Sequence, residues 1–410
     1  MKQKLLKILT ETLRTVVGGV FVFSGFVKAI DPIGSAYKIQ DYMTAFGLTE
    51  LFPLALPAAA MMVTAEVVLG LLLLLGLFRV WAILGIALFM VAFTPLTLWV
   101  ALNNPVADCG CFGDAFTITN WQSFSKNVVL LLSSVFLIFH HRLITPLYSK
   151  QMTLYVSAFV VLFSSLFTLY NLHREPVIDF RPFSIGTNIP EGMRVNFETI
   201  FIYSKDGVQQ EFTEEEFNLY RPWEEGSGWT FVDTKTRSTT PRIENFVIES
   251  LIFDEATQRW LFYENITSRI LSNPNYSFLM IAYSLDRMRT RQLRHFTAIK
   301  RYALQHGYSF YMVTGSPLDV IGEWNGIFLH SDKRVLHTIT RTNPGLVLLK
   351  EGTIINKWAG SEVAAIGRLT VPLNETRLVI VRNQEKRNAM ALLIIALLFL
   401  LPMAIFKWIE

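Results

Sequence analysis

The sequence predicts a multi-span α-helical membrane bundle of about six spans, joined to a soluble α/β domain with an added β-rich segment. Three observations predict it. The chain of 410 residues is 51% hydrophobic with a mean hydropathy of +0.36, too apolar for an ordinary soluble protein. Only 17% of residues are charged, and they crowd between His173 and Arg387. The flanking regions instead contain apolar stretches long enough for a bilayer core, which takes about 20 residues of helix.

The candidate spans are Thr12–Ile30, Leu54–Phe78, Val80–Leu102, Phe124–His140, Met152–Leu172 and Met390–Phe406. The first reads as a retained helix. Val16 to Ile30 is followed by Asp31-Pro32 rather than by a small-residue cleavage site. Little more than Phe78-Arg79 separates the second and third spans, which makes them a tight hairpin. Tyr37–Phe52 is amphipathic and bounded by proline, the pattern of a helix lying in the interface. The net charge of +4 is modest and forms no long basic run, which argues against a nucleic-acid partner.

Lysine and arginine beside the spans predict orientation. Lys2, Lys4, Lys7 and Arg14 precede the first span, Arg79 lies in the hairpin, and Arg142 and Lys150 lie between the fourth and fifth spans. The Asn103–Asn120 loop has no basic residue. Both termini are therefore expected in the cytoplasm of a bacterial inner membrane, with that loop and the soluble domain in the periplasm. Lys28, Lys38 and Lys126 lie near the outer ends and run against the rule.

The chain has two cysteines, one residue apart, in Asp108-Cys109-Gly110-Cys111-Phe112-Gly113. Such a pair closes only if the backbone bends to bring the Cα atoms within roughly 4.4–6.8 Å, and Gly110 permits the bend. So small a ring is expected to be of the labile, exchanging kind. An inert pair that merely shapes a turn is the alternative. A zinc site is not expected, because tetrahedral zinc wants about four N or S ligands. Asp108 would disfavour a neighbouring thiolate, or accept a proton during exchange. Glu66 lies deep in the second span, where a carboxylate needs a partner; Lys28 and Thr94 are the candidates. It either packs as a hydrogen-bonding neutral acid or handles protons.

Gly19-Val-Phe-Val-Phe-Ser-Gly25, Phe26-Val-Lys-Ala-Ile-Asp-Pro32, Ala65-Glu-Val-Val-Leu-Gly-Leu71 and the cysteine loop together resemble the MauE branch of the DoxX-like membrane proteins. The resemblance covers about the first 140 residues. It implies a four-helix membrane bundle and a redox accessory role in disulfide formation or electron transfer, but no substrate. A quinone in the bundle follows only by analogy with other membrane disulfide enzymes; no other cofactor is suggested.

Beyond His173 the pattern shortens. Thr199–Tyr203, Val208–Phe212 and Trp229–Val232 read as strands, the first two joined by a turn at Lys205-Asp-Gly207. Asn245–Phe253 is another. Ser277–Ala282 reads as a buried strand and Arg291–His306 as a helix stopped by Gly307. Ser309–Thr314 is a second strand, and Gly345–Leu349 with Thr353–Trp358 is a terminal hairpin. This order resembles the thioredoxin fold of TlpA-like periplasmic proteins, with Pro344 where that family carries a cis-proline. The resemblance places a Cys-x-x-Cys after the Ser277–Ala282 strand, but Ser284–Arg291 contains no cysteine. Asp286, Arg289, Asn343 and Pro344 are accordingly candidates for binding a partner rather than for catalysis. His295, His306, His330 and His337 lack ligand spacing and read as ordinary surface or helix residues.

The expected organisation is a membrane domain over 1–150, a fifth span over 151–172, a β-rich segment over 173–272, a degenerate thioredoxin-like domain over 273–370, a linker over 371–388 and a last span over 389–410. Two functions fit. One is a thiol–disulfide component acting through Cys109 and Cys111, assisted by Asp108 and Glu66, on an extracytoplasmic client. The other is a non-catalytic scaffold that binds an extracytoplasmic partner. Single cysteines at Lys205 or Glu351, in a background lacking Cys109 and Cys111, are expected to react with an impermeant reagent in intact spheroplasts. One at Arg79 should react only after the membrane is opened, and the reverse pattern contradicts the orientation.

Overall fold

The computed structural model describes residues 2–106, 108–194, 197–224, 226–238, 243–288, 290–322, 324, 328–376, 378 and 384–410. The first part is helical: α1 (Lys2–Ile30), α2 (Pro32–Ala45), α3 (Phe52–Leu75), α4 (Arg79–Asn103), α5 (Asn120–His140) and α6 (Lys150–His173). Helix α13 (Gln384–Ile409) closes the chain. Among the described residues, 6 helices are long and apolar enough to span a membrane: α1, α3 with its leading turn, α4, α5, α6 and α13.

Local chemistry sets the helix ends. Asp31 caps α2 by accepting from the Gly34 N–H at 3.0 Å, with Pro32 in the first turn. The interfacial helix therefore begins earlier than Tyr37, and it stops at Ala45 rather than at Phe52. Thr119 and Gln122 form a capping box on α5. Gly76, at φ +70°, ends α3 where its Cβ would meet the Pro146 Cα at 2.9 Å.

The closest packing joins α1 to α3. At Gly70 an added Cβ would lie 2.7 Å from the Val22 backbone nitrogen, so the two helix backbones nearly touch. Val17, Phe21, Leu73, Ile83, Ile86, Leu130 and Leu137 fill the centre of the bundle. At one end, Arg14 donates to the Thr145 carbonyl at 2.7 Å, and Lys407 donates to the Leu147 carbonyl at 3.0 Å. The loop after α4 and the large region after α6 both leave at the opposite end.

That region contains α7 (Ile189–Gly192), β1 (Phe197–Lys205), β2 (Val208–Phe212), α8 (Glu214–Tyr220), β3 (Thr230–Ser238), β4 (Glu249–Asp254), β5 (Arg259–Asn265) and α9 (Thr267–Leu271). It continues with β6 (Tyr276–Ala282), α10 (Thr290–Gln305), β7 (Ser309–Thr314), α11 (Leu318–Gly322), β8 (Leu329–His330), α12 (Lys333–Ile339), β9 (Gly345–Lys350) and β10 (Thr353–Ala359). The first three strands make a small antiparallel sheet ordered β2-β1-β3. Lys205 pairs with Val208 across Asp206 and Gly207, both at positive φ, the expected two-residue hairpin.

The other strands form a 7-stranded sheet ordered β10-β9-β6-β7-β8-β4-β5. β6 runs parallel to β7 and antiparallel to β9. It is buried on both faces. Leu279 and Ile281 meet Phe246, Ile248 and Ile270 on one side, while Phe278 and Met280 meet Phe296, Ile299 and Tyr302 on the other. Asn245–Phe253 is strand only from Glu249 onward. The Ile248 N–H donates to the Thr267 hydroxyl at 2.7 Å instead of to a strand, because its side chain is drawn into the core.

Candidate functional site

Glu66 on α3 meets Lys28 on α1, Oε2 to Nζ 2.5 Å, with both side chains about nine-tenths buried. Ser24, one turn before Lys28, lies 2.7 Å from Glu66 Oε1 and 2.7 Å from the Cys111 carbonyl oxygen. Its single proton serves one acceptor at a time. The buried charge is thus tied through one hydroxyl to the cysteine loop. Thr94, the other expected partner of Glu66, is not in contact with it. The Thr94 hydroxyl is buried without a hydrogen-bond partner among the described residues.

The loop itself is held at several points. Lys38 on α2 pairs with Asp108 at 2.7 Å, and Asp108 also accepts from the Gly110 N–H at 2.8 Å. The Asp108 charge is therefore neutralised rather than turned on the adjacent sulfur. Gly110 sits at φ +66°, and a Cβ there would lie 2.9 Å from Lys38 Cγ, so both conformation and space call for glycine. Tyr42 donates to the Cys109 carbonyl at 3.2 Å. Burial first, then Asp108 and Asp41, push its phenol up to about 12, which keeps it a neutral donor.

Cys109 and Cys111 are joined to each other, with Cα atoms 5.5 Å apart. Cys109 Sγ lies 3.0 Å from the hydroxyl of Ser123, a fully buried residue on α5. Next to the pair is a cavity of about 90 Å³ lined by Ser24, Lys28, Glu66, Lys126, Asn127 and both cysteines, among others. The Lys126 ammonium lies 4.7 Å above the Phe112 ring. The three lysines that ran against the charge rule thus all have local work: Lys28 on Glu66, Lys38 on Asp108, and Lys126 in the cavity wall.

The β-rich region docks beside this loop. Arg341, just before β9, is 5% exposed and forks onto Asp31, Nε to Oδ1 2.9 Å and Nη2 to Oδ2 2.5 Å. Glu175 accepts from the backbone N–H groups of Arg341 at 2.9 Å and Thr342 at 3.1 Å. Arg181 bridges Glu175 and Asp179, and Lys357 pairs with Asp179. Burial would raise the Asp31 carboxyl, but Arg341 outweighs it and holds the group below its usual range; Arg181 and Lys357 do the same for Asp179.

Asp108, Cys109, Cys111 and Glu66 therefore converge. The expected partner-binding residues do not form one cluster. Asp286 is exposed on the turn after β6, and Arg289 lies outside the described residues. Asn343 is engaged with Ser284, donating to its carbonyl at 2.7 Å and accepting from its N–H at 3.3 Å. Pro344 follows a cis peptide bond and is buried. Sequence reasoning missed Ser123, Tyr42 and Arg341. No local pattern marks them, because each acts on a residue in another element of the fold.

The Lys28–Glu66 pair is testable by a thermal double-mutant cycle on the purified protein. Glu66→Leu and Lys28→Met should each cost roughly 3–5 kcal/mol, since either leaves a charge buried alone. The double variant should recover much of that loss, and simple additivity contradicts the pairing.

No curated protein and no solved structure matches the chain. Residues 197–239, which cover β1 to β3, match the model of a domain of unknown function (DUF8463). Residues 6–140, which contain Glu66, Lys28 and the whole cysteine loop, match the family described as Methylamine utilisation protein MauE.

Proposed function

We propose that the protein is a membrane thiol–disulfide exchange component whose working group is the Cys109–Cys111 pair. The observation that carries this reading is the placement of a closed Cys-Gly-Cys pair against a cavity that Lys28, Glu66 and Lys126 also line, tied by Ser24 to a buried ion pair. An inert turn has no need of charged groups brought into hydrocarbon at such cost. In the reaction, a client thiolate attacks one sulfur of the pair, and the other leaves as a thiolate. A second client thiol then displaces the loop, so the client dithiol is oxidised by two electrons and the loop is reduced. The reverse direction reduces a client disulfide.

The orientation argued from lysine and arginine puts the loop and the soluble region outside a bacterial cytoplasmic membrane, where disulfides persist. The order β7-β6-β9-β10, with one parallel and two antiparallel pairings, supports the thioredoxin-like reading of that region. It has no cysteine of its own, so its role is to present an extracytoplasmic protein client to the loop. The family description suggests a membrane accessory role in methylamine utilisation, and the client is proposed only as a protein dithiol. The quinone reading meets a cavity of about 90 Å³, smaller than the ~150 Å³ cavity that takes up benzene. The quinone reading rests on analogy alone, and no step is assigned to a quinone.

The scaffold reading has one specific observation in its favour: the buried Arg341–Asp31 fork, which seats the soluble region firmly beside the loop. Affinity capture from cells separates the two readings. Of the full-length single variants Cys109→Ser and Cys111→Ser, at least one should retain a client through a reductant-sensitive link that the double variant lacks. Retention of the same partner by all three variants, insensitive to reductant, favours the scaffold.

A further inference from the structure

The two sulfurs of the pair sit in different surroundings. Cys109 Sγ is 3.0 Å from the Ser123 hydroxyl, and Ser123 is 0% exposed. A sulfur in a disulfide carries no proton, so the hydroxyl is the donor. Ser123 lies in the first turn and a half of α5, a helix of 21 residues whose start is fixed by the Thr119–Gln122 capping box. Unpaired N–H groups and the helix dipole favour negative charge at that end. Lys126 and Asn127, one turn further along, line the same cavity as both cysteines. Cys111, by contrast, is held through its carbonyl oxygen by Ser24, and among the described residues no hydrogen bond reaches its sulfur.

Resting on the exchange reading above, we propose that the two cysteines have fixed and unequal roles: Cys111 is the sulfur attacked by the client, and Cys109 is the leaving sulfur, stabilised as a thiolate by Ser123. A client thiolate forms a bond to Cys111 Sγ as the Cys109–Cys111 bond breaks. The electron pair goes to Cys109 Sγ, where the Ser123 hydroxyl already points. A second client thiol gives up its proton and attacks the client sulfur of the mixed disulfide, and Cys111 departs as a thiolate. The client ends as a disulfide and the loop as two thiols, so electrons and atoms balance. Ser123 is a catalytic residue here because it touches a reacting atom. The better leaving thiolate is the more stabilised one, and that asymmetry chooses which sulfur is attacked.

The charged and titratable groups around the pair are Lys38 and Asp108, which pair with each other, Lys28 and Glu66, which do likewise, and Lys126 and Tyr42. Lys28, Lys38, Tyr42, Glu66 and Lys126 line one cavity together with both cysteines, whereas the Ser123 contact belongs to Cys109 alone. Thiol acidity read on single-cysteine proteins therefore isolates it. Purified full-length protein carrying Cys111→Ser or Cys109→Ser is alkylated with iodoacetamide from about pH 5 to pH 10, where thiolates form. Cys109 should carry about tenfold more thiolate than Cys111 at neutral pH, and Ser123→Ala should remove about tenfold from Cys109 alone. Ser123→Thr, which keeps a hydroxyl, should restore it. Thermal melting of each variant shows whether the fold is retained.

Glutathione provides the second measurement. Offered to the oxidised wild-type protein and acid-quenched, it should be found by peptide mass spectrometry on Cys111. Adducts on Cys109, or a Cys109 acidity indifferent to Ser123→Ala, overturn the assignment. Because neither measurement uses a client, failure of the exchange reading in cells would not alter them, and their failure would not alter it.

Discussion

Glu66 is a carboxylate in the second span of a hydrocarbon-embedded bundle, and the arrangement around it follows from the need to satisfy it. Its partner is Lys28 on α1, at 2.5 Å. That approach requires α1 and α3 to lie almost backbone to backbone, which Gly25 and Gly70 allow; an added Cβ at either would come within 2.7 Å of the opposite helix's backbone. The remaining carboxylate oxygen meets Ser24, and Ser24 in turn meets the cysteine loop through Cys111. One buried charge thus fixes a helix pair, the rotation of that pair and the seat of the loop. A hydrophobic pair of similar size would hold the helices together as well. It would not carry a hydroxyl and two charged groups to the base of a Cys-Gly-Cys ring.

A second set of buried charges works on a different join. Arg341, Arg181 and Lys357 face Asp31, Glu175 and Asp179 where the β-rich region meets the bundle. Asp31 has two duties there: it caps α2 and accepts the Arg341 fork. Because α2 also supplies Lys38 and Tyr42 to the loop, the position of the soluble region and the shape of the loop are mechanically linked. The loop between α12 and β9 is turned toward Asp31 at the start of α2 and Glu175 just after α6.

The spans were legible because hydrocarbon permits few alternatives to a run of about 20 apolar residues. The β6–α10–β7 unit and the β9–β10 hairpin were legible for a related reason: a strand buried on both faces reads as a continuous apolar run, and Gly307 and Gly352 mark the turns. β5 was not foreseen. Its Leu261, Phe262 and Tyr263 are exposed at the sheet edge and show no alternation, and the two-residue β8 is too short for any pattern. At the site, Cys109, Cys111, Asp108 and Glu66 stood out by residue type alone, as a charge among apolar neighbours or as a rare thiol pair. Ser123, Tyr42 and Arg341 did not, since a serine in a helix or an arginine before a strand is unremarkable until the fold brings its partner near.

In the exchange reading, the Cys109–Cys111 pair cycles between disulfide and dithiol in the working protein. Acid-quenched cells, alkylated with a mass-shifting maleimide before and after reduction, measure the fraction of each form directly. Exchange requires a mixture that moves toward the dithiol when a reductant or excess client dithiol is supplied, and returns when it is withdrawn. A pair locked in one form under every condition would contradict it and leave the loop as a structural turn.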